Sequence, residues 1–191
     1  MSKRGRQTGG SVTGGTGDIK PQQLTFSGTQ AVVNEYLVLP ISLPVPRFGL
    51  SSKKATIFEI LKVMMYFGSE DSLDLSHTLF GHLATNDLGR LTGGTSSLAS
   101  NQQDLAESNN IASAVMNHSG VTSGFRTTIY PIVIDLTDNN GNGVLVATDK
   151  LVYVFGSAQA TVLSTFAVKV LYRMVNVGVE EYVGIVQSQL Q

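Results

Sequence analysis

The chain contains no cysteine and no tryptophan in 191 residues, and only 14% of it is charged. Without cysteine there is no disulfide, no thiolate-bound zinc and no thiol nucleophile, and the redox compartment leaves no trace. Ordinary soluble domains carry about 25% charged residues, so something other than charge must hold this surface. Thirteen Lys and Arg stand against fourteen Asp and Glu, a formal net charge of −1. The chain as a whole therefore gives no electrostatic case for nucleic acid, and any such case has to come from local clustering. No stretch approaches the roughly 20 apolar residues that cross a bilayer, and the N-terminus has no apolar signal core. The expectation is a soluble protein without a membrane span, made in the cytosol. Its length fits one domain with a tail, since domains usually run to about 100–200 residues. What is present in quantity is apolar side chain, 42% of the residues, together with 20 glycines. That mixture implies many turns and a neutral surface, part of it hidden by neighbouring copies in an oligomer.

Residues 1–20, MSKRGRQTGGSVTGGTGDIK, differ from all that follows. They are rich in Gly, Ser and Thr and have almost no apolar side chains to bury, so a disordered arm is expected. Its cations Lys3, Arg4 and Arg6 sit on a flexible leash that can reach phosphates; on the segment alone an ordinary disordered terminus is the simpler explanation, because short basic starts are common. From Gln22 onward the residues suit strands. QQLTFSG and AVVNEYLVLPISLPV are β-branched and aromatic, and Pro40, Pro44 and Pro46 place the second of these on a sheet edge or in an extended connector. ATIFEILKVMMYFG (55–68) fits both helical and alternating spacing; the Tyr66-Phe67-Gly68 ending and its β-rich neighbours favour a strand. A strand is also expected over His77–Thr85. Residues 86–125 form an irregular insertion with one short helix at about Asp104–Met116. Four more strands are expected over Thr127–Leu136, Gly143–Gly156, Thr161–Asn176 and Val179–Gln189. In the third, Val168, Val170 and Tyr172 alternate with Lys169, Leu171 and Arg173, placing cations on one face and a core on the other. The fold class is all-β, with about eight strands in two packed antiparallel sheets, which suits a sandwich or single jelly roll over residues 21–191.

The sharpest chemical motif is Asp138-Asn139-Asn140-Gly141-Asn142-Gly143, followed by Asp149. Oxygen-bearing side chains at Asp138, Asn140 and Asn142, a glycine, and a last carboxylate at Asp149 reproduce the first part of a calcium loop. The closing residue is Asp where a bidentate Glu is usual, and strands flank the loop. Both departures favour a hairpin turn that uses Asn and Gly for positive φ. Asp135 either adds a ligand or caps that turn. His77, His82 and His118 are the only histidines, and the first two, five apart, point to opposite faces of a strand, unlike a zinc pair. Glu70-Asp71 and Glu180-Glu181 are adjacent and diverge, so they read as solvated turn charges. TGGTG (13–17) and TGGTSS (92–97) lack the Lys-Ser/Thr ending of a phosphate loop, and no G-x-S-x-G elbow occurs. An enzyme is therefore not expected, and no cofactor is required. The best cationic set for phosphate is Lys3, Arg4, Arg6, Arg47, Lys53 and Lys54, with Lys169 and Arg173 behind it. Lys53 and Lys54 serve equally as a solvated turn.

Several strings resemble a known family. IDLTDNNGNGVLVATDKLVYVFG and KVLYRMVNVGVEEYVGIVQSQ, with TGDIKPQQLT, VPRFG and KKATIFEILKV, are similar to capsid proteins of environmental circular single-stranded DNA viruses. The resemblance is best over about Tyr130–Gln191 and does not extend to 86–125. It implies a single jelly roll, self-assembly into a small icosahedral virion shell, and an inward basic arm on the genome; it names no host receptor. The arm is poorer in Arg and Lys than many of its counterparts. Two other classes stand beside this reading. One is a jelly-roll or sandwich binding module whose 138–149 loop is stabilised by calcium and which holds a carbohydrate or protein partner. The other is a cupin-like enzyme, for which the His/carboxylate spacing of the metal is missing.

Overall fold

The computed structural model describes residues 20–43, 47–49, 54–69, 77–85, 109–118 and 131–189. Along the chain these form β1 (Gln22–Thr29), β2 (Leu37–Ser42), β3 (Arg47–Gly49), β4 (Lys54–Ser69), β5 (His77–Ala84), β6 (Asn110–His118), β7 (Ile132–Asp135), β8 (Val144–Val146), β9 (Lys150–Ala158), β10 (Ser164–Gly178) and the helix α1 (Val179–Gln189). All the pairings are antiparallel. One sheet runs β1-β10-β4, and the far edge of the 16-residue β4 is tiled end to end by β3, β8 and β7. The other sheet runs β2-β9-β5-β6. The chain crosses between the sheets after β1, after β2, between β4 and β5, between β6 and β7, after β8 and after β9. That path makes the two-sheet jelly roll expected from the strand pattern. Among the described residues β2, which carries Pro40, lies on a sheet edge and pairs only with β9, where a missing donor is tolerated.

The core lies between the sheets. Phe58, Ile60, Val63, Met65 and Phe67 of β4 meet Leu79 and Leu83 of β5, Leu151, Tyr153 and Phe155 of β9, and Phe166, Val168 and Val170 of β10. On β10 the expected alternation holds, with Val168 and Val170 buried and Lys169 and Arg173 on the opposite face. On β4 it does not run unbroken. Leu61 is an extra residue opposite β10, because Lys62 pairs with Leu171 while Ile60 pairs with Tyr172. This bulge swaps the faces, so that even-numbered residues enter the core before it and odd-numbered ones after it.

Three expectations need correction. Residues 110–116, expected in a helix, belong to strand β6, because Ile111, Ala112 and Ala114 are buried against β5 rather than along a helical stripe; residues 104–108 lie outside the described residues. Gly143–Gly156, expected as one strand, is two: the chain turns at 147–149 and leaves β8 in one sheet for β9 in the other. Val179–Gln189, expected as a strand, is α1. Tyr182, Ile185 and Val186 recur at helical spacing and close over Ala55, Ile57, Ala147 and Val177 on the outer face of the first sheet. Glu180 and Glu181 occupy its first turn, where negative charge is favourable. The buried Gln189 finishes the helix by accepting from Ala147 N–H (3.1 Å) and donating to the Leu145 carbonyl (2.7 Å), which satisfies the free side of β8. The 1–20 arm lies outside the described residues except for Lys20, as does most of the 86–125 insertion.

Tyr153 stands at the centre of the core, in ring contact with Phe26 and Phe166. Its hydroxyl is buried without a hydrogen-bond partner, and burial pushes its ionisation far above the ordinary tyrosine range. A β-carbon at Gly81 would lie 2.2 Å from that hydroxyl and 2.8 Å from the Phe67 ring, so this glycine makes room for it. Gly81→Ala is expected to destabilise the fold by about 1–3 kcal/mol through overpacking. Tyr153→Phe removes an unsatisfied buried hydroxyl and is expected to be neutral or stabilising by about 1 kcal/mol. It should also relieve part of the Gly81→Ala loss. Urea unfolding of the two single variants and the double variant tests this.

Candidate functional site

The residues singled out in the sequence fall into two groups. Of the cations, Lys3, Arg4, Arg6 and Lys53 lie outside the described residues. Arg47 opens β3 opposite Thr56, and Lys54 opens β4, exposed, opposite Gly49 and Gly178. Glycine-rich segments 13–17 and 92–97 and the pair Glu70-Asp71 are likewise outside. Among the described residues no three His, Asp or Glu side chains are grouped to hold a metal. His82 bonds Ser113 through Nδ1 (2.6 Å), and His77 sits buried in β5 opposite His118.

The 138–143 segment is a built polar structure. Oδ1 of Asp138 accepts the N–H groups of Asn140 and Asn142, both at 2.8 Å, and Oδ2 accepts Nδ2 of Asn142 at 3.1 Å. Asp138 N–H donates to Asn142 O (2.8 Å), and Gly141, at φ 79°, donates to Asp138 O (3.0 Å). Asn and Gly are there because a tight turn needs side-chain acceptors and one left-handed residue. These donors hold the Asp138 carboxyl below the usual range, led by the Asn142 amide. Asp135, just before, is held down at about 2 by the hydroxyl and amide of Thr137 and by Lys62. Asp149 is not part of this turn: β8 carries the chain away along Ile60–Phe58, and the Asp149 carbonyl accepts from Leu43 N–H in the turn into β9. Oδ1 of Asp138 thus accepts two amides, while Oδ2 accepts only Asn142 Nδ2.

The turn is anchored by a carboxylate that sequence reading did not single out. Glu59, on the outer face of β4 and only 3% exposed, takes Arg173 Nε on Oε2 (2.6 Å) and Arg173 Nη2 on Oε1 (3.1 Å). Oε1 also accepts Gly143 N–H at 2.6 Å, and Arg173 donates on to Gly141 O at 3.2 Å. Gly143 is pressed so close to the bulge that a β-carbon there would lie 2.1 Å from Ile60 O. The one available signal was the alternation of β10, which put Arg173 on a cationic face. Its partner, 114 residues earlier, was hidden by the bulge.

With this geometry in view, no protein-family model matches the chain, and no curated protein matches it in sequence. Solved structures do. VP1 of Trichodysplasia spinulosa-associated polyomavirus in complex with 3'-sialyllactose superposes with a TM-score of 0.54 at 11% identity, over 86% of this chain and 98% of that one. The same VP1 with GM1 oligosaccharide gives 0.52 at 11%, over 87% and 96%. Merkel cell polyomavirus VP1 with disialyllactose gives 0.53 at 10%, over 87% and 98%. The chain shares the two-sheet jelly-roll fold of these VP1 structures. At these identities the likeness is one of architecture, and none of the turn residues is carried over from it.

Burial alone would raise the Glu59 carboxyl, but the Arg173 bond, the Gly143 amide and the Arg173 charge outweigh it and leave it below the ordinary carboxylate range. A depressed carboxyl contributes stability above its unfolded pKa, about 4.3 for Glu, and loses that contribution as pH falls through the folded value. Wild-type stability is therefore expected to drop as pH falls below about 4. Glu59→Gln should cost about 2–3 kcal/mol at neutral pH and flatten that acid slope. Thermal melts of both proteins from neutral to acid pH check this.

Proposed function

We propose that the chain is a capsid subunit that self-assembles into a small icosahedral shell around a single-stranded DNA genome. Assembly is its activity: neutral loops and apolar faces of neighbouring copies meet across symmetry axes. The observation that carries this reading is the strand path, a complete two-sheet jelly roll shared with polyomavirus VP1 over 86% of the chain. The low charged fraction, 14%, supports it, because surface that other copies cover need not be charged. In the same reading Lys3, Arg4, Arg6, Arg47, Lys53 and Lys54 face the interior and neutralise phosphates without reading bases. The 138–143 turn is held by its own amides and by Glu59, and calcium is not needed for the shell. A second reading rests on the oligosaccharides bound by the VP1 structures: the loops at one end of the sandwich bind a glycan on the host surface. This reading is compatible with the first.

Electron microscopy of the purified protein is expected to show uniform closed particles, unchanged by a calcium chelator. Absorbance of the same fraction is expected to show a raised 260/280 ratio that falls when Lys3, Arg4 and Arg6 are replaced together by Gln. A clean monomer across salt and calcium conditions overturns the shell reading. Particles with no nucleic acid leave the shell standing and overturn the role of the arm.

A further inference from the structure

The outer face of the β1-β10-β4 sheet is divided in two along the strands. On the half nearest Lys54, α1 lies over Ala55, Ile57, Val175 and Val177. Beyond the bulge no described element covers the other half: Tyr66 is 43% and Val133 54% exposed, with Met64 and Leu171 half-buried beside them. Paired rows set Val133 beside Met64 and Met64 beside Lys169, and set Tyr66 beside Ala167. The charges here are Lys169 and the Lys62–Asp135 pair (3.1 Å). Between the halves, Arg173 is neutralised by Glu59 and the 138–143 turn lies against them. The face is thus a step, with a raised helix on one half and a bare, partly apolar sheet on the other.

α1 begins where β10 ends, at Gly178, and finishes where Gln189 bonds β8. It therefore runs obliquely over the strands, from the β10 column at the Lys54 row towards β8 at the Phe58–Glu59 rows. We propose that this face binds a second copy of the same chain about a two-fold axis lying in the face and perpendicular to the strands. Such an axis exchanges the two halves and keeps the strand columns aligned. Each α1 then enters the step of the other copy and lies over its bare half. The first turn of α1, with Glu180 and Glu181 exposed, falls on the β10 column of the partner, where Lys169 stands. The exposed Val183 and the side-chain-free Gly184 fall towards the Met64 and Val133 columns. Opposite charges meet, apolar surface meets apolar surface, and the neutralised Glu59–Arg173 strip lies near the axis, where like charges would repel.

The footprint follows from the geometry. Four strands about 4.8 Å apart and six residues long give roughly 300 Å² of bare sheet, to which an eleven-residue helix adds about 150 Å². This is below the roughly 800 Å² per partner of a standard interface, so the pair is weak alone and is reinforced by the other contacts of a shell. The inference rests on the shell reading in that copies of this chain must meet. It adds which face they use.

The test is sedimentation of the full chain over a concentration series, with electron microscopy of the same samples, for wild type, Val133→Glu, Tyr66→Glu, Lys169→Glu, Glu180→Lys and the double variant Lys169→Glu with Glu180→Lys. All these positions are outside the core, so circular dichroism should show wild-type folding. Association is expected to weaken at least about tenfold in each single variant and to recover in the double variant, a rescue that a merely structural role would not give. Wild type that associates while Val133→Glu and Tyr66→Glu associate equally well overturns this interface and leaves the shell reading standing. Association lost in both charge reversals without rescue in the double variant overturns the proposed pairing of α1 with Lys169. A wild-type chain that stays monomeric overturns the shell reading itself.

Discussion

The ion pair between Glu59 and Arg173 fixes the place where this molecule changes face. A carboxylate 3% exposed on the outside of a sheet costs several kcal/mol unless its lone pairs are filled. Here two guanidinium bonds and the Gly143 amide fill them. Arg173 is drawn over the sheet, the 138–143 turn is drawn onto β4, and β8 is delivered to its edge at Ile60. Directly after this anchor comes the Leu61 bulge, whose carbonyl accepts Leu136 N–H at 3.0 Å. β7 and β8, two short strands on one edge, are thus separated by a turn tied to the bulge between them.

The bulge has a further consequence for the surface. By switching which residues of β4 face outward, it puts Ala55 and Ile57 under α1 and leaves Met64 and Tyr66 outside. Without the extra residue, one parity of β4 would have to serve as core throughout. Glu59, an odd-numbered residue like Val63, would then face the interior. The packed core, the covered half and the bare half of the outer face are three products of one inserted residue. Association of copies, in the reading proposed above, uses the half that the bulge turns outward.

Much of the fold was legible because jelly-roll strands alternate and are punctuated by turn residues. QQLTFSG, the proline-bearing LVLPIS and β10 announce themselves by β-branched and aromatic side chains at period two, and the long β4 segment, ambiguous in spacing, by its Tyr66-Phe67-Gly68 ending and its β-rich neighbours. The misreadings fall where period is ambiguous. VEEYVGIVQSQ has valines that favour a strand and a Tyr182–Ile185–Val186–Gln189 spacing that favours a helix. What decides is an apolar patch, Ala55, Ile57, Ala147 and Val177, gathered from three distant segments. NIASAVM fits a short helix until Ala112 and Ala114 are set against β5. In GVLVATDKLVYVFG the break at 147–149 is a change of sheet, which local composition does not encode.

The sequence by itself determined the class of this protein: all-β, without thiol chemistry, with a polar cationic leader ahead of the strands and a turn at Asp138–Gly143 whose Asn and Gly residues close it locally. These follow from side-chain chemistry and from spacings of two to four residues, which act through the nearby backbone. Only the tertiary structure decided that Glu59 meets Arg173 across 114 residues, that β4 is bulged at Leu61, that the last segment is a helix, and that no described element covers half of one sheet face. Each of these depends on which distant segments share a surface. Burial and ion pairing reward contacts whose partners are far apart in the chain, and no local pattern of one partner names the other.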